Sequence, residues 1–416
     1  MAKVKEKLYE NRFGLFFFGV LIGYCFIANS MHWGQITEIS YANHIVDFSV
    51  GFCTKLLPGA VCNFLLGEVT RENLQIFLSI LIVLCFMLVA ILLEKLVLSQ
   101  KKESRIYLII ISMFFLTGIF TFFFHFESLV WFDFYWLFFS VLSFFALMKK
   151  ETYILVIPFM LAAIMSHYGA IICYVPFIAI VMLYKISQTT EKKEKMYLWI
   201  VWLVLVISAL GLSVYMITTE AENVKMSFDE FNQFFLSKGV SEDCLEPYQV
   251  YFFRDKVIEM REAEYPVRYE EFVNKIKHFE KVLPELLYVL FFQIYSTFLL
   301  AKTETVIPYL LLLVPLIAVI YATFIFDYKT DKSNKLKRFS LLCIMVLFFF
   351  TLIGGRILSI DTVRWISNAL IPVLAFFFYT VYKGNVEYKE KVKEMFAKLP
   401  ALSIGIYYFI YAFMVR

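Results

Sequence analysis

The sequence predicts an all-α, polytopic transmembrane helix bundle of about 11 to 12 spans. Of the 416 residues, 61% are hydrophobic and only 18% are charged, whereas charged residues make up about a quarter of a typical globular chain. The charged residues fall in short clusters between long apolar runs, as loops between membrane spans do. We therefore expect lipid to cover most of the apolar surface, and the net charge of +4 to reflect topology and not nucleic-acid binding.

The apolar runs define the individual spans, because a helix needs about 20 apolar residues to cross the hydrocarbon core, and shorter runs cross with help from neighbours. One further run, 283–301, is predicted to be re-entrant or interfacial, since the basic segment after it must return to the side of the earlier basic segments. The predicted spans are 13–30, 74–93, 107–124, 129–148, 152–166, 168–184, 196–218, 306–326, 339–355, 365–382 and 401–415.

Lys and Arg residues mark the predicted cytoplasmic side, because short cytoplasmic loops are enriched in them. This rule predicts a multi-pass protein of the cytoplasmic (inner) membrane with a cytoplasmic N-terminus. The loops 31–73, 125–128, 166–169, 219–282 and 356–364 then share the outer face. The basic clusters are Lys3/Lys5/Lys7/Arg12, Lys101/Lys102/Arg105, Lys149/Lys150, Lys185/Lys192/Lys193/Lys195, Lys329/Lys332/Lys335/Lys337/Arg338 and Lys383/Lys389/Lys391/Lys393.

The long loop 219–282 separates an N-terminal bundle, 1–218, from a C-terminal bundle, 283–416. Phe228, Phe231, Phe234 and Phe235 recur at helical spacing amid charges, and Tyr269, Phe272, Ile276 and Phe279 repeat the pattern. We expect extracytoplasmic amphipathic helices that lie over the site as a lid. A cover that does not touch substrate and a partner-binding surface fit the pattern equally well.

Two arginines, an aspartate and a tryptophan occupy the short turn between two late spans: Arg356, Asp361, Arg364 and Trp365. Guanidinium groups stay charged and bind diphosphate oxygens through bidentate hydrogen bonds. Arginines at the predicted outer face are unusual, because basic residues are enriched in cytoplasmic loops. We expect Arg356, Arg364 and Trp365 to bind substrate and Asp361 to take part in catalysis. Alternatively, Asp361 pairs with Arg364 to fix the turn, and Trp365 is an interfacial anchor.

A second candidate segment, Ser166–Gly169, joins two short apolar runs that each carry a proline, Pro158 and Pro176. Irregular backbone at membrane depth is tolerated only where protein or a water-filled cavity covers it. A neutral His167 there would accept the proton of an attacking sugar hydroxyl or position the acceptor, with Tyr168 binding substrate. The structural alternative is a histidine that bonds a neighbouring helix.

A third candidate segment precedes and enters the fourth span, with His125, Glu127 and Asp133. An aspartate inside a span is costly unless it meets a cation or water. We expect Asp133 to orient substrate as a catalytic residue, with His125 and Glu127 as substrate-binding residues. The surrounding aromatic rings, taken singly, fit an interfacial aromatic belt.

Cysteine and histidine usage predicts neither a metal site nor a cofactor. The first outer loop holds His32, Glu38, His44 and Asp47, but their spacing matches no ligand motif. Cys53 and Cys62 lie in the same loop, where an oxidising compartment would allow a disulfide without requiring one.

Three of these segments resemble Wzy-type polysaccharide polymerases, in particular the EpsG-like branch. They are Phe124-His125-Phe126, the run Ala162 to Ala170 followed by Pro176, and Asp361-Thr362-Val363-Arg364-Trp365. The likeness covers 107–184 and the turn near 360. Where EpsG-like proteins tend to carry an Arg-Gln pair early in the fourth span, this chain has Phe132-Asp133, so an arginine contact is not expected there.

The resemblance implies a Wzy-like or GT-C-like bundle and a metal-independent, inverting glycosyl transfer between lipid-linked repeat units. The implied partners are an undecaprenyl-diphosphate-linked oligosaccharide, membrane lipid, a chain-length regulator and a flippase. A glycosyltransferase that uses polyprenyl-phosphate sugars is one alternative, with Glu38 or Asp47 as its base. A transporter or flippase for lipid-linked oligosaccharide is another, and a non-enzymatic scaffold is a third.

Overall fold

The described part of the chain folds entirely into helices and turns. The computed structural model describes residues 11–28, 36–52, 55–117, 132–219, 224–245, 253, 307–358 and 362–397, and within these ranges it contains no strand. The predicted all-helical class is therefore confirmed. The α-helices are α1 Arg12–Ala28, α2 Glu38–Ile45, α3 Leu56–Leu66, α4 Arg71–Leu98, α5 Arg105–Thr117, α6 Phe132–Ala146, α7 Val156–Ser166, α8 Tyr174–Gln188, α9 Lys192–Thr219, α10 Phe228–Ser237, α11 Ile307–Thr330, α12 Lys335–Leu358, α13 Thr362–Lys383 and α14 Val386–Ala397.

Within the described residues, four helical segments are long and apolar enough to cross a membrane: Arg71–Leu98, Gly169–Gln188, Lys192–Met216 and Trp365–Lys383. The most apolar windows of the second and fourth are 83% buried, whereas those of the first and third are 39% and 28% buried. Helices α8 and α13 therefore form the centre of the bundle, and α4 and α9 lie at its periphery.

Helix α9 presents a continuous apolar stripe at its surface. Ile200, Leu203, Ile207, Leu210 and Val214 follow one another at steps of three or four residues and are each more than half exposed. Such a stripe on a long helix is unfavourable in water and is expected where lipid is the solvent. The surface of α9 thus supports a membrane location independently of overall composition.

The predicted spans 152–166 and 168–184 are interrupted as their prolines suggested. A 3-10 helix, Lys150–Leu155, precedes α7, and a second one, Tyr168–Ile171, precedes α8. Pro158 and Pro176 are each the third residue of an α-helix, where the missing N–H has no intrahelical partner to lose. The prolines therefore start these helices, and the irregular backbone lies between them, at His167.

The loop 31–73, which is predicted to be outer, contains two short helices, α2 and α3, packed closely together. A Cβ on Gly59 would lie 1.7 Å from the Val46 carbonyl oxygen, so only glycine permits this approach. The Lys55 N–H donates to the Met165 carbonyl (3.0 Å), which ties the start of α3 to the end of α7. Cys62 is buried with a free thiol, and Cys53 lies outside the described residues.

The described part of the long loop contacts α2, through Ser241 and Glu38, and the segment that follows α2. The predicted amphipathic helix near Phe228 is confirmed as α10, which buries Phe231 and Phe235 and begins with a Ser227–Glu230 capping box. The Lys225 N–H donates to the Val50 carbonyl (2.7 Å). The segment 269–279 lies outside the described residues, and the role of the loop as a lid stays a prediction.

The basic segments meet at one end of the bundle, here called the lysine-rich end. Lys101 pairs with Glu390 (2.6 Å) and Lys150 with Glu191 (3.2 Å), and the Asn334 amide donates to the Ser187 carbonyl (2.9 Å). The opposite end then holds the beginnings of α4, α6 and α13 and the ends of α7, α9 and α12. This arrangement gathers the ends of the candidate site segments on the side away from the lysines.

Candidate functional site

The irregular backbone at His167 fixes the orientation of its ring. His167 ends α7 with an extended backbone, and its Nδ1 accepts the N–H of Gly169 (3.0 Å). The side chain is buried. Because Nδ1 is an acceptor, a neutral ring carries its proton on Nε2. His167 can therefore donate a hydrogen bond through Nε2.

Trp136 contacts side chains from two predicted site segments, His167 and Trp365, and lies in the helix that carries Asp133 of the third. Its ring centroid lies 5.1 Å from that of His167, 6.5 Å from that of Trp365 and 6.2 Å from that of Tyr174. All four side chains are buried, and we call them the Trp136 cluster. They come from α6, the end of α7, α8 and the first turn of α13. This cluster defines the candidate site.

For four of the other predicted site residues the structure gives the position of the backbone, and the remaining three lie outside the described residues. Asp133 is one helical turn before Trp136 in α6, and Tyr168 follows His167 in the 3-10 helix. Arg356 is in the last turn of α12 and Arg364 in the first turn of α13. These positions are at the end of the bundle that holds the Trp136 cluster. Asp361, His125 and Glu127 lie outside the described residues.

Gly169 permits the contact between Trp136 and His167. A Cβ added to it would lie 2.5 Å from Trp136 Cη2 and 3.0 Å from His167 Nδ1. Because backbone and two rings converge there, Gly169→Ala is expected to displace a ring and to lower the free energy of unfolding by about 1–3 kcal/mol. Thermal unfolding in detergent, followed by tryptophan fluorescence, measures this. Gly211→Ala is the control, since a Cβ there meets nothing within 4 Å; equal stability of the two variants would contradict the packing described.

His44 is a buried residue close to the Trp136 cluster, and its position in the sequence does not indicate this. Its Nδ1 lies 2.5 Å from the Ser40 carbonyl oxygen, which can only accept, so Nδ1 carries the proton. Its Nε2 then accepts from the Tyr135 hydroxyl (2.5 Å). Tyr135 is adjacent to Trp136, so this bond ties the first outer loop to the site. No sequence motif signals such a pairing between residues 91 positions apart.

The stability of this contact should depend on pH. Burial lowers the pKa of His44 from 6.5 to about 4, despite the opposing Ser40 hydrogen bond. The unfolded chain then binds more protons between these values, so stability is complete above pH 6.5 and falls as the pH drops towards 4, by on the order of 3 kcal/mol. Unfolding midpoints at pH 7 and pH 4.5 test this. His44→Gln should lose most of the pH dependence, and an unchanged pH profile in that variant would disprove the assignment.

Glu38 and Asp47, the two candidate bases in the loop 31–73, are engaged in structural contacts. Glu38 accepts from the hydroxyl and the N–H of Ser241, which lower its pKa. Burial raises the pKa of Asp47, but hydrogen bonds from Ser49 and from Asn63 (2.7 Å) outweigh it and lower the pKa overall. In the part of the chain that the structure describes, no three His, Cys, Asp or Glu side chains lie close enough to hold a metal ion.

The fold and site define an all-helical protein with helices able to span a membrane and a buried aromatic and histidine cluster at one end. Searches with the whole chain found no match among protein-family models, curated proteins or solved structures. Its function must therefore be inferred from its own residues.

Proposed function

We propose that the protein is a polysaccharide polymerase that joins lipid-diphosphate-linked oligosaccharide repeat units at the outer face of the cytoplasmic membrane. One observation carries the proposal: Trp136 contacts both His167 and Trp365. This contact unites segments that lie far apart in the sequence and that also carry Asp133 and Arg364. Their common end of the bundle is opposite the lysine-rich end, which the positive-inside rule assigns to the cytoplasm.

The proposed reaction is an inverting glycosyl transfer. A sugar hydroxyl of one repeat unit attacks the anomeric carbon of the other chain and forms the glycosidic bond. The bond from that carbon to the lipid diphosphate breaks, and its electron pair leaves with the diphosphate. Arg356 and Arg364 bind the diphosphate as its negative charge grows. The Asp133 carboxylate accepts the hydroxyl proton.

His167 has the role of acceptor positioner in this scheme. Its Nδ1 accepts the N–H of Gly169, so a neutral ring carries its proton on Nε2, which is then a hydrogen-bond donor and not a proton acceptor. Of the two roles that the sequence allowed for this histidine, the tautomer favours positioning over general-base catalysis.

Two rival functions have less support from the described residues. A transferase that uses polyprenyl-phosphate sugars would take Glu38 or Asp47 as its base, yet both already accept hydrogen bonds from protein groups. A transporter needs polar groups along a path through the bundle, whereas the groove between α4, α6 and α13 has a predominantly apolar lining. The polymerase therefore remains the function that these contacts favour.

A reconstituted reaction tests the proposal. Purified protein in vesicles is supplied with a lipid-diphosphate-linked oligosaccharide, and the products are separated by size. We expect a ladder of products that grows by one repeat unit at a time. Movement of the substrate across the vesicle membrane without new glycosidic bonds would instead establish a transporter and overturn the polymerase.

A further inference from the structure

A groove on the surface of the bundle runs from its interior to the lysine-rich end. It has a volume of about 140 Å³, and its walls come from α4, α5, α6, α8 and α13. Leu93, Val141, Phe144 and Phe378 are among its apolar lining residues. A cavity of about 150 Å³ with a similar lining stays dry and binds benzene. The groove is thus suited to several methylene groups and is too small and apolar for an oligosaccharide.

The length of the groove matches one leaflet of a bilayer. Its lining on α13 runs from Ile371 to Lys383, which corresponds to about 18 Å along a helix. Half of the hydrocarbon core of a bilayer is about 15 Å thick. A chain that enters beside Lys383 would therefore end near the middle of the membrane.

Two lysines lie at the open end of the groove, Lys95 and Lys383. The Lys95 ammonium contacts Met148 Sδ (3.8 Å), and that of Lys383 lies 5.0 Å from the Tyr382 ring centroid. Lys101, Lys150 and Lys337, at the same end, each pair with a carboxylate. Among the residues that the structure describes, neither Lys95 nor Lys383 pairs with a carboxylate. Their charges remain available to an anion at the membrane surface.

The geometry points to a binding site for an anionic phospholipid from the leaflet at the lysine-rich end. Several methylene groups of one acyl chain occupy the groove, and Lys95 and Lys383 bind the phosphate. Charge complementarity and the apolar lining both favour this occupant over a zwitterionic lipid or a free phosphate. Lys95 and Lys383 lie at the other end of the bundle from the Trp136 cluster, whereas Tyr174 of that cluster lines the inner end of the groove. Phosphate binding by the two lysines does not depend on the proposed reaction.

Lipid-dependent unfolding tests this site. Delipidated protein in an uncharged detergent is heated with dioleoyl-phosphatidylglycerol, with dioleoyl-phosphatidylcholine, or with glycerol 3-phosphate alone. We expect the unfolding midpoint to rise most with phosphatidylglycerol and not to rise with glycerol 3-phosphate. Lys95→Ala/Lys383→Ala should weaken phosphatidylglycerol binding on the order of tenfold. Lys101→Ala/Lys150→Ala, which removes the same charge from the same end, should keep the preference.

A second measurement does not depend on the stability of the variants. Phosphatidylglycerol with a photoactivatable group in its acyl chain should crosslink to peptides within 89–96, 137–148 or 371–383, and Ala375→Trp should reduce the yield by filling the groove. Three results would overturn the site: equal effects of the two phospholipids, equal loss of preference in both double variants, or crosslinks confined to other helices.

Discussion

Arg364→Ala is expected to abolish long polymer while the protein remains in the membrane. In the proposed reaction, the guanidinium binds the diphosphate leaving group through charge-assisted hydrogen bonds, which strengthen as the glycosidic donor bond breaks. Removal of one such donor typically slows a reaction by about 10²–10³-fold. A polymer needs many successive transfers, so even the lower figure should leave only short products. Product length, resolved on gels from cells or from the reconstituted reaction, measures the effect.

Two control variants test whether the loss of polymer length comes from the proposed contact between Arg364 and the diphosphate or only from the loss of a positive charge. Arg364→Lys keeps the charge but not the bidentate geometry and should restore only part of the chain length. Lys238→Ala removes an exposed cation from the described loop that packs on the site end and should leave polymer unchanged. Normal chain length in Arg364→Ala, at wild-type protein abundance, would exclude the assigned role.

The largest loss of stability is expected from breaking the buried ion pair between Asp327 and Lys337. The two side chains are buried, with Lys337 Nζ 2.5 Å from Asp327 Oδ1, and the Tyr184 hydroxyl donates to Oδ2 (3.1 Å). Asp327→Ala leaves a buried ammonium without its carboxylate, which costs about 3–5 kcal/mol. Thermal or denaturant unfolding in detergent measures the loss.

A double variant separates the pair from its packing. Asp327→Leu/Lys337→Met removes both charges and keeps apolar volume, so it should be markedly more stable than Asp327→Ala, because replacement of a whole buried pair is often nearly neutral. Lys335→Ala, at an exposed neighbouring position, should have little effect. If Asp327→Ala lowered the free energy of unfolding by less than about 1 kcal/mol, the pair would contribute no more than an exposed salt bridge does, and its burial would be refuted.

The helical class could be predicted from the sequence because it depends on local pattern, and so could the positions of some residues of the candidate site. Apolar runs of sufficient length give α4, α8, α9 and α13, and the prolines of α7 and α8 marked the break at His167. Sequence position alone indicates His167 and Trp365 as candidate site residues. Trp136, which joins them, was not singled out, because one aromatic among many in α6 carries no signal of which neighbour it will face.

Other features depend on tertiary contacts that cannot be recognised in a single sequence. The sequence places Lys337 in a basic cluster that indicates topology, yet its side chain is buried against Asp327. Charge type alone does not distinguish a solvated lysine from a paired one. Likewise, the sequence does not distinguish His44 from the other polar residues of its loop, but its bond to Tyr135 places it beside the candidate site.

Sidedness is the central claim, and cysteine labelling tests it most directly. In a variant without the seven native cysteines, single cysteines replace Glu68, Thr362 or Lys332, and intact cells are treated with a membrane-impermeant maleimide. We expect labelling at 68 and 362, and labelling at 332 only after the membrane is permeabilised. Labelling of 68 and 362 from opposite sides, or of 332 in intact cells, would contradict an outer site facing away from the lysine-rich end.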